Sequence, residues 1–178
     1  MVVADHPAAT RIGANVLRRG GNAIDAAVAT SFALSICRPY SCGIGGGGFM
    51  VIWIADSQKA VVIDYRETAP AAATPDMFIN LPDGASQRGG AAIAVPGTVA
   101  GLLEAHERYG RMYLFEILAE VTLLGEQGFL VDAHYESTAR AVSERFKANP
   151  EWKQLYPYLW KDLLLEGNAI KGRPALLP

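Results

Sequence analysis

The stretch that most limits how this chain can fold is residues 43–70, GIGGGGFMVIWIADSQKAVVIDYRETAP, in which four consecutive glycines run straight into two apolar segments. Residues 49–54 and 60–65 are rich in Val, Ile and aromatic side chains, and Asp56, Ser57, Gln58 and Lys59 between them read as a turn, so the spacing predicts a β-hairpin. Phe49, Val51 and Trp53 alternate with Met50, Ile52 and Ile54, which makes both faces apolar and predicts a sheet covered on both sides. The second strand runs out on Asp64, Tyr65, Arg66 and Glu67. Charged groups therefore stand where a buried strand emerges, and that edge is where chemistry is expected. Gly43, Gly45 and Gly48 satisfy G-x-G-x-x-G, but the nucleotide-binding form of that motif follows a strand and opens a helix, whereas here a helix precedes and a strand follows. The glycines are expected to serve structure, through positive φ or close backbone approach.

Helices are predicted on either side. Residues 8–19 carry Ile12 and Val16 one turn apart and stop at Gly20 and Gly21. Asn22 is placed to cap a second helix over 23–36, with Asp25 in its first turn. That helix is apolar on nearly every side, so it should be buried, and Asp25 reads as a capping carboxylate rather than a catalytic one. After Pro70 the chain is rich in Ala, Pro and Thr and then polar from Asn80 to Gly90, which predicts an exposed loop. Thr98 is the expected cap of a third helix that carries His106 on its face and ends at Gly110. A fourth helix spans 114–126, and Asp132 caps a fifth whose Tyr135, Ala139, Val142 and Phe146 share one face. Trp152, Tyr156, Tyr158 and Trp160 form an aromatic cluster, with packing preferred over a cage for a cationic ligand.

The 178 residues suffice for one domain with a substantial core. A net charge of −2, with no basic run longer than Arg18 and Arg19, gives no footprint for nucleic acid. The opening MVVADHPAAT does not read as a basic and hydrophobic leader, and no segment reads as membrane-spanning. Cys37 and Cys42 read as two free buried thiols, with a disulfide as the alternative, and neither has partners at metal-ligand spacing. No metal and no cofactor is expected.

The order RRGGNAIDAAVAT (18–30), GIGGGGF (43–49), DYRETAP (64–70) and VPGTVAG (95–101) resembles the amino-terminal part of the γ-glutamyltransferase (glutathione hydrolase) family, over the whole chain and most strongly up to Gly128. The resemblance implies an α/β (α+β) architecture, the amino-terminal portion of an Ntn-hydrolase αββα four-layer sandwich, incomplete in this chain. It implies a single partial domain over 1–178, with the glycine loop and hairpin at 43–66 and a mainly helical part at 97–178. It further implies a proenzyme that cuts itself in two and uses a threonine at the new amino terminus, acting on γ-glutamyl amides such as glutathione and transferring the acyl group to water or amino acids. The partner would be the small subunit of the same proenzyme, and the setting periplasmic or extracellular. One site residue carries over, Arg66 of DYRETAP, expected to grip the α-carboxylate of the glutamyl group. No catalytic residue is expected within the chain, so alone it should be inactive. Glu120 and the run LLGEQGF depart from the family pattern. The ending GNAIKGRPALLP resembles a turn after which family members continue. The alternatives are a related amidohydrolase, of the cephalosporin acylase or poly-γ-glutamate depolymerase type, and a non-catalytic orphan fragment.

Overall fold

The computed structural model describes residues 1–167 and the backbone of 174–175. The expected ending at GNAIKGRPALLP lies, apart from Gly167 and that short backbone piece, outside the described residues. The class is mixed helix and sheet. The elements are five main helices, α1 (Pro7–Arg18), α2 (Ala23–Cys37), α3 (Thr98–Tyr109), α4 (Leu114–Gln127) and α5 (Ala133–Ala148), and one hairpin of β1 (Phe49–Ile54) and β2 (Lys59–Asp64). A two-residue strand β3 (Phe129–Leu130) pairs antiparallel with β4 (Pro174–Ala175), and the short helix α6 (Trp152–Leu155) with irregular turns completes the described part. No helix among the described residues is long and apolar enough to cross a membrane.

Helices α1, α2 and α5 start where a side chain meets their orphan amides. The His6 ring nitrogen Nδ1 accepts from Ala8 N–H at 3.1 Å, with Pro7 in the first position, and Gly20 at φ +94 closes α1. At α2 the predicted cap becomes a reciprocal box. Asn22 Oδ1 accepts from the amides of Ile24 and Asp25, and Asp25 Oδ2 accepts from Asn22 N–H at 2.8 Å. Asp25 does more than cap: fully buried, it also accepts from Arg111 N–H at 3.0 Å and so ties the start of α2 to the turn between α3 and α4. His106 belongs to the same corner, its Nε2 lying 2.9 Å from Met112 O and 3.6 Å from Asp25 Oδ1.

The core forms where α1, α3 and α4 pack on α2: Ile12 and Val16 from α1, Val28 and Ala33 from α2, Leu102 from α3 and Ile117 from α4. It continues past Phe129 and Tyr135 to Phe146. Phe146 stacks on Trp160 and meets Trp152 and Tyr156 edge-on, but Tyr158 points away at 81% exposure and leaves the expected cluster. The burial predicted for α2 is also incomplete. Phe32, Leu34 and Ile36 are only half-buried, because the residues that pack on α2 do not reach its whole circumference.

The hairpin register pairs Phe49 with Asp64, Val51 with Val62 and Ile52 with Val61. Its turn comes one residue earlier than expected, at 55–58, with Gln58 at φ 51. Among the described residues the expected sheet is covered on one side only. Ile52 and Ile63 are buried against the helices, whereas Phe49, Val51, Trp53 and Val62 on the other face are exposed, Trp53 to 64%. Cys37 and Cys42 are both free; Cys37 is buried, which pushes its thiol up to about 12, but Cys42 is partly exposed, against the expectation that both are core.

A second polar hub was not visible in the sequence. Arg38, 4% exposed at the end of α2, donates from Nε to Asp5 Oδ2 at 3.0 Å and from both terminal nitrogens to Asp132 at 3.0 and 2.6 Å. Asp132 meanwhile accepts from Tyr135 N–H at 2.9 Å as the expected cap of α5. The chain ahead of α1, the end of α2 and the start of α5 therefore meet on one guanidinium.

Two outcomes follow for stability. Asp25→Ala removes a cap and strands buried amides, so it should lower the unfolding free energy by about 3 kcal/mol in urea titration, with Asp25→Asn costing about half of that. The Arg38 guanidinium beside it, reinforced by the Tyr135 amide, lowers the Asp132 carboxyl to about 2, below an unfolded value near 3.9. The unfolded chain therefore binds more protons in that interval, and the contribution is complete above about pH 4 and lost as pH falls toward 2. Burial lowers His6 as well, a separate loss that begins below about 6.5. In thermal melts across pH 2–7, Asp132→Asn should be less stable than the parent at neutral pH, and the gap should close only below about pH 4.

Candidate substrate-binding cleft

The charged edge predicted from DYRETAP is held by contacts that the glycines permit. None of Gly43 to Gly48 has positive φ, so their use here is close approach. The ladder continues one pair beyond β1 and β2: Tyr65 N–H donates to Gly48 O at 3.0 Å and Gly48 N–H to Tyr65 O at 3.3 Å. A Cβ on Gly47 would stand 2.5 Å from Tyr65 O and 2.8 Å from Glu67 N. One on Gly97 would overlap the Tyr65 carbonyl, and one on Gly101 would overlap the Tyr65 ring. Tyr65 thus runs through a slot walled by glycines from the loop and from the start of α3, and burial raises its phenol.

The same arrangement explains why Thr98 is not the cap of α3. Helix α3 begins at Thr98 after Gly97, and no side chain caps it. Instead Gly46 O accepts from both Gly97 N–H at 2.9 Å and Thr98 N–H at 3.0 Å. A main-chain carbonyl from the glycine loop does the work assigned to the threonine hydroxyl, and it locks loop to helix.

Arg66 and Glu67 follow Tyr65. Asp64 Oδ1 accepts from Arg66 N–H at 3.0 Å as the chain leaves β2, and the Thr68 and Val95 amides exchange hydrogen bonds at 3.3 and 2.9 Å just beyond. The two charged residues are pinned on both sides. They open on a cleft of about 650 Å³ whose walls include Gly46, Gly47, Tyr65 and Thr98, with Ser31 and Ser35 from α2. Arg66 is 60% exposed at its side chain, and its one recorded ion pair among the described residues runs from Nε to Glu67 Oε2 at 3.5 Å. Its two terminal nitrogens have no protein partner there. Across the glycine segment lies an apolar groove of about 570 Å³ between α2 and α4, lined by Phe32, Ile36, Leu118 and Val121. Cys42 touches both spaces.

Asp25 and His106, the two other titratable candidates weighed on sequence, do not line the cleft. Among the described residues, no group of three or more His, Cys, Asp and Glu could hold a metal ion. Glu67, which the sequence places only among the charged groups at the strand end, also lines the cleft, and its adjacency to Arg66 was the available signal. What the arrangement can do chemically is receive an anion: an exposed guanidinium with free terminal N–H groups, backed by a carboxylate and held on rigid backbone.

Comparison with known proteins gives this geometry a setting. The family model described as gamma-glutamyltranspeptidase matches residues 9–177. The chain is 45% identical over 149 residues to the glutathione hydrolase proenzyme of Bacillus subtilis (strain 168), covering 81% of this chain and 25% of that protein. It is also 45% identical over 141 residues to the acylase ACY 1 proenzyme of Pseudomonas sp. (strain V22), covering 74% of this chain and 25% of the relative. The crystal structure of Helicobacter pylori gamma-glutamyltranspeptidase superimposes with a TM-score of 0.86 at 36% identity, over 99% of this chain and 50% of the solved one. The chain therefore spans about a quarter of the length of the curated relatives and half of the solved chain, and what it folds into is a portion of the Ntn-hydrolase αββα sandwich. A match that runs through nearly every residue, with the glycine loop and the arginine edge inside it, means that this chain belongs to the γ-glutamyltranspeptidase family.

Proposed function

We propose that this chain forms the carboxylate-binding wall of an enzyme that cleaves γ-glutamyl amides such as glutathione and passes the γ-glutamyl group to water or to an amino acid. The observation that carries the reading is Arg66, whose terminal nitrogens stand without a protein partner among the described residues at the mouth of a polar cleft. A free amino-acid end of a donor offers the planar carboxylate that such a fork pairs with. Acyl transfer also needs a nucleophile, and the family's is an amino-terminal threonine whose own α-amine acts as base. In this reading it comes from the small subunit of the same proenzyme and faces the cleft described here. The proenzyme names of the relatives support a larger protein that is processed.

The equal identity to an acylase proenzyme supports a second reading, in which the same framework serves amides of another acid. The two part on whether the donor's α-carboxylate matters. Because Arg66 is exposed, the lost hydrogen bonds should cost about 1.5 to 3 kcal/mol in the full-length enzyme, so Arg66→Ala should lower kcat/KM roughly 10- to 150-fold with a chromogenic γ-glutamyl anilide. Arg66→Lys should recover part of the loss, since an ammonium lacks the fork. Donors with an amidated α-carboxylate should be affected far less, and self-cleavage should proceed normally. Equal losses on both donor types would remove Arg66 from the substrate site, and turnover of acyl amides lacking any α-carboxylate in preference to γ-glutamyl donors would favour the acylase reading.

A further inference from the structure

Residues 2–6, ahead of α1, form a strap that is fastened to the helices at several points. Val2 packs between α1 and α2, with Cγ1 3.0 Å from where a Cβ on Gly13 would stand. Ala4 N–H donates to Thr10 Oγ1 at 3.2 Å, and Asp5 accepts twice from Arg38, through Oδ2 at 3.0 Å and through its carbonyl at 2.8 Å. His6 closes the strap. It is 5% exposed, its ring stands edge-on to Phe129 at 5.4 Å, and its Nδ1 accepts from Ala8 N–H at 3.1 Å.

A ring nitrogen that accepts a hydrogen bond carries its lone pair, so the folded ring is neutral with its proton on Nε2. A further proton can go only onto Nδ1. It would meet the Ala8 N–H donor to donor, and the first turn of α1 would lose its cap inside a closed site. The charged groups that face the ring are Arg38 from the end of α2, Asp132 from the start of α5 and Asp5 from the strap itself, while β3 offers only the Phe129 ring and the Leu130 backbone. Both carboxylates are engaged by the Arg38 guanidinium, which opposes a second cation beside it. Burial first, and Arg38 after it, therefore hold the ring below the ordinary histidine range.

We propose that His6 is an acid-sensitive latch: a proton on Nδ1 breaks the cap of α1 and releases residues 2–6 from the helices while the rest of the fold persists. A released ring takes a proton near pH 6.5 and a latched ring only at lower pH, so release gains on closure as pH falls below about 6.5. Asp5 leaves with the strap, but Arg38 keeps both of its bonds to Asp132, and Asp132 keeps its cap on Tyr135 N–H. The opening therefore stays local.

The test is amide hydrogen exchange of the full-length protein at about pH 7.5 and about pH 5, with rates corrected for their intrinsic pH dependence. Protection of the Ala8 amide, read in a peptide covering the start of α1, should fall severalfold and by no more than about 30-fold, the ceiling set by complete protonation of a released histidine at the lower pH. Amides of β1, a strand without a titratable side chain, should keep their protection. His6→Asn supplies a cap acceptor that gains no proton in this range, so its α1 start should be equally protected at both pH values. His6→Asp serves the same purpose if the asparagine variant does not fold. Unchanged protection in the parent would overturn the latch, as would the same fall in His6→Asn or His6→Asp. Equal loss in β1 would also overturn it, since acid would then be unfolding the whole molecule; should neither variant fold, this comparison of strap and strand in the parent decides.

Discussion

The architecture turns on how closely three backbones approach at Tyr65. Loop, strand end and helix α3 converge there, and Gly47, Gly97 and Gly101 each occupy a point where a Cβ would run into Tyr65 itself. Interiors pack at crystal-like density and yield little to an added methyl, so the slot admits glycine and nothing larger. Because Gly46 O also accepts from the amides of Gly97, just ahead of α3, and Thr98, its first residue, the loop is hydrogen-bonded to the helix as well as pressed against the strand. Arg66 and Glu67 leave this clamp with their backbone already determined. A cleft that binds by a planar fork depends on such rigidity, since orientation is most of what distinguishes a paired contact from a diffuse charge.

Away from the cleft, two buried ionic groups organise the helices. Asp25 and Arg38 sit near opposite ends of α2 and each reaches elements distant in sequence: Asp25 the α3–α4 turn, Arg38 the segment before α1 and the start of α5. Buried charges of this kind contribute less net stability than their short distances suggest, because desolvation offsets much of the attraction. Their directional bonds do select one arrangement of helices whose apolar faces, rich in alanine, would otherwise slide with little penalty.

The outer face of the hairpin and the groove between α2 and α4 are apolar and open. In a chain that spans half of a solved relative, that is where the covered sheet read from the alternation of Phe49 to Ile54 and the portion of sandwich seen here come together. The alternation describes a strand with two buried faces, and the described residues supply a cover for one.

What the sequence determined by itself was local. Helix starts at Asn22 and Asp132, stops at Gly20 and Gly110, the hairpin strands and the place where charge emerges from β2 all follow from side-chain chemistry within a few residues, which is why they were legible. The resemblance carried by DYRETAP and its companion motifs extended that reading to one arginine. Tertiary structure decided the rest. It replaced the Thr98 cap with a carbonyl 52 positions earlier in the chain, at Gly46, turned Tyr158 out of the aromatic cluster and made Arg38 a hub. It also brought Glu67 onto the Nε side of Arg66. Each of these outcomes depends on which distant backbone or side chain arrives within hydrogen-bond or van der Waals range. Periodicity and capping preferences report the neighbours a residue has along the chain; only packing reports the neighbours it acquires across it.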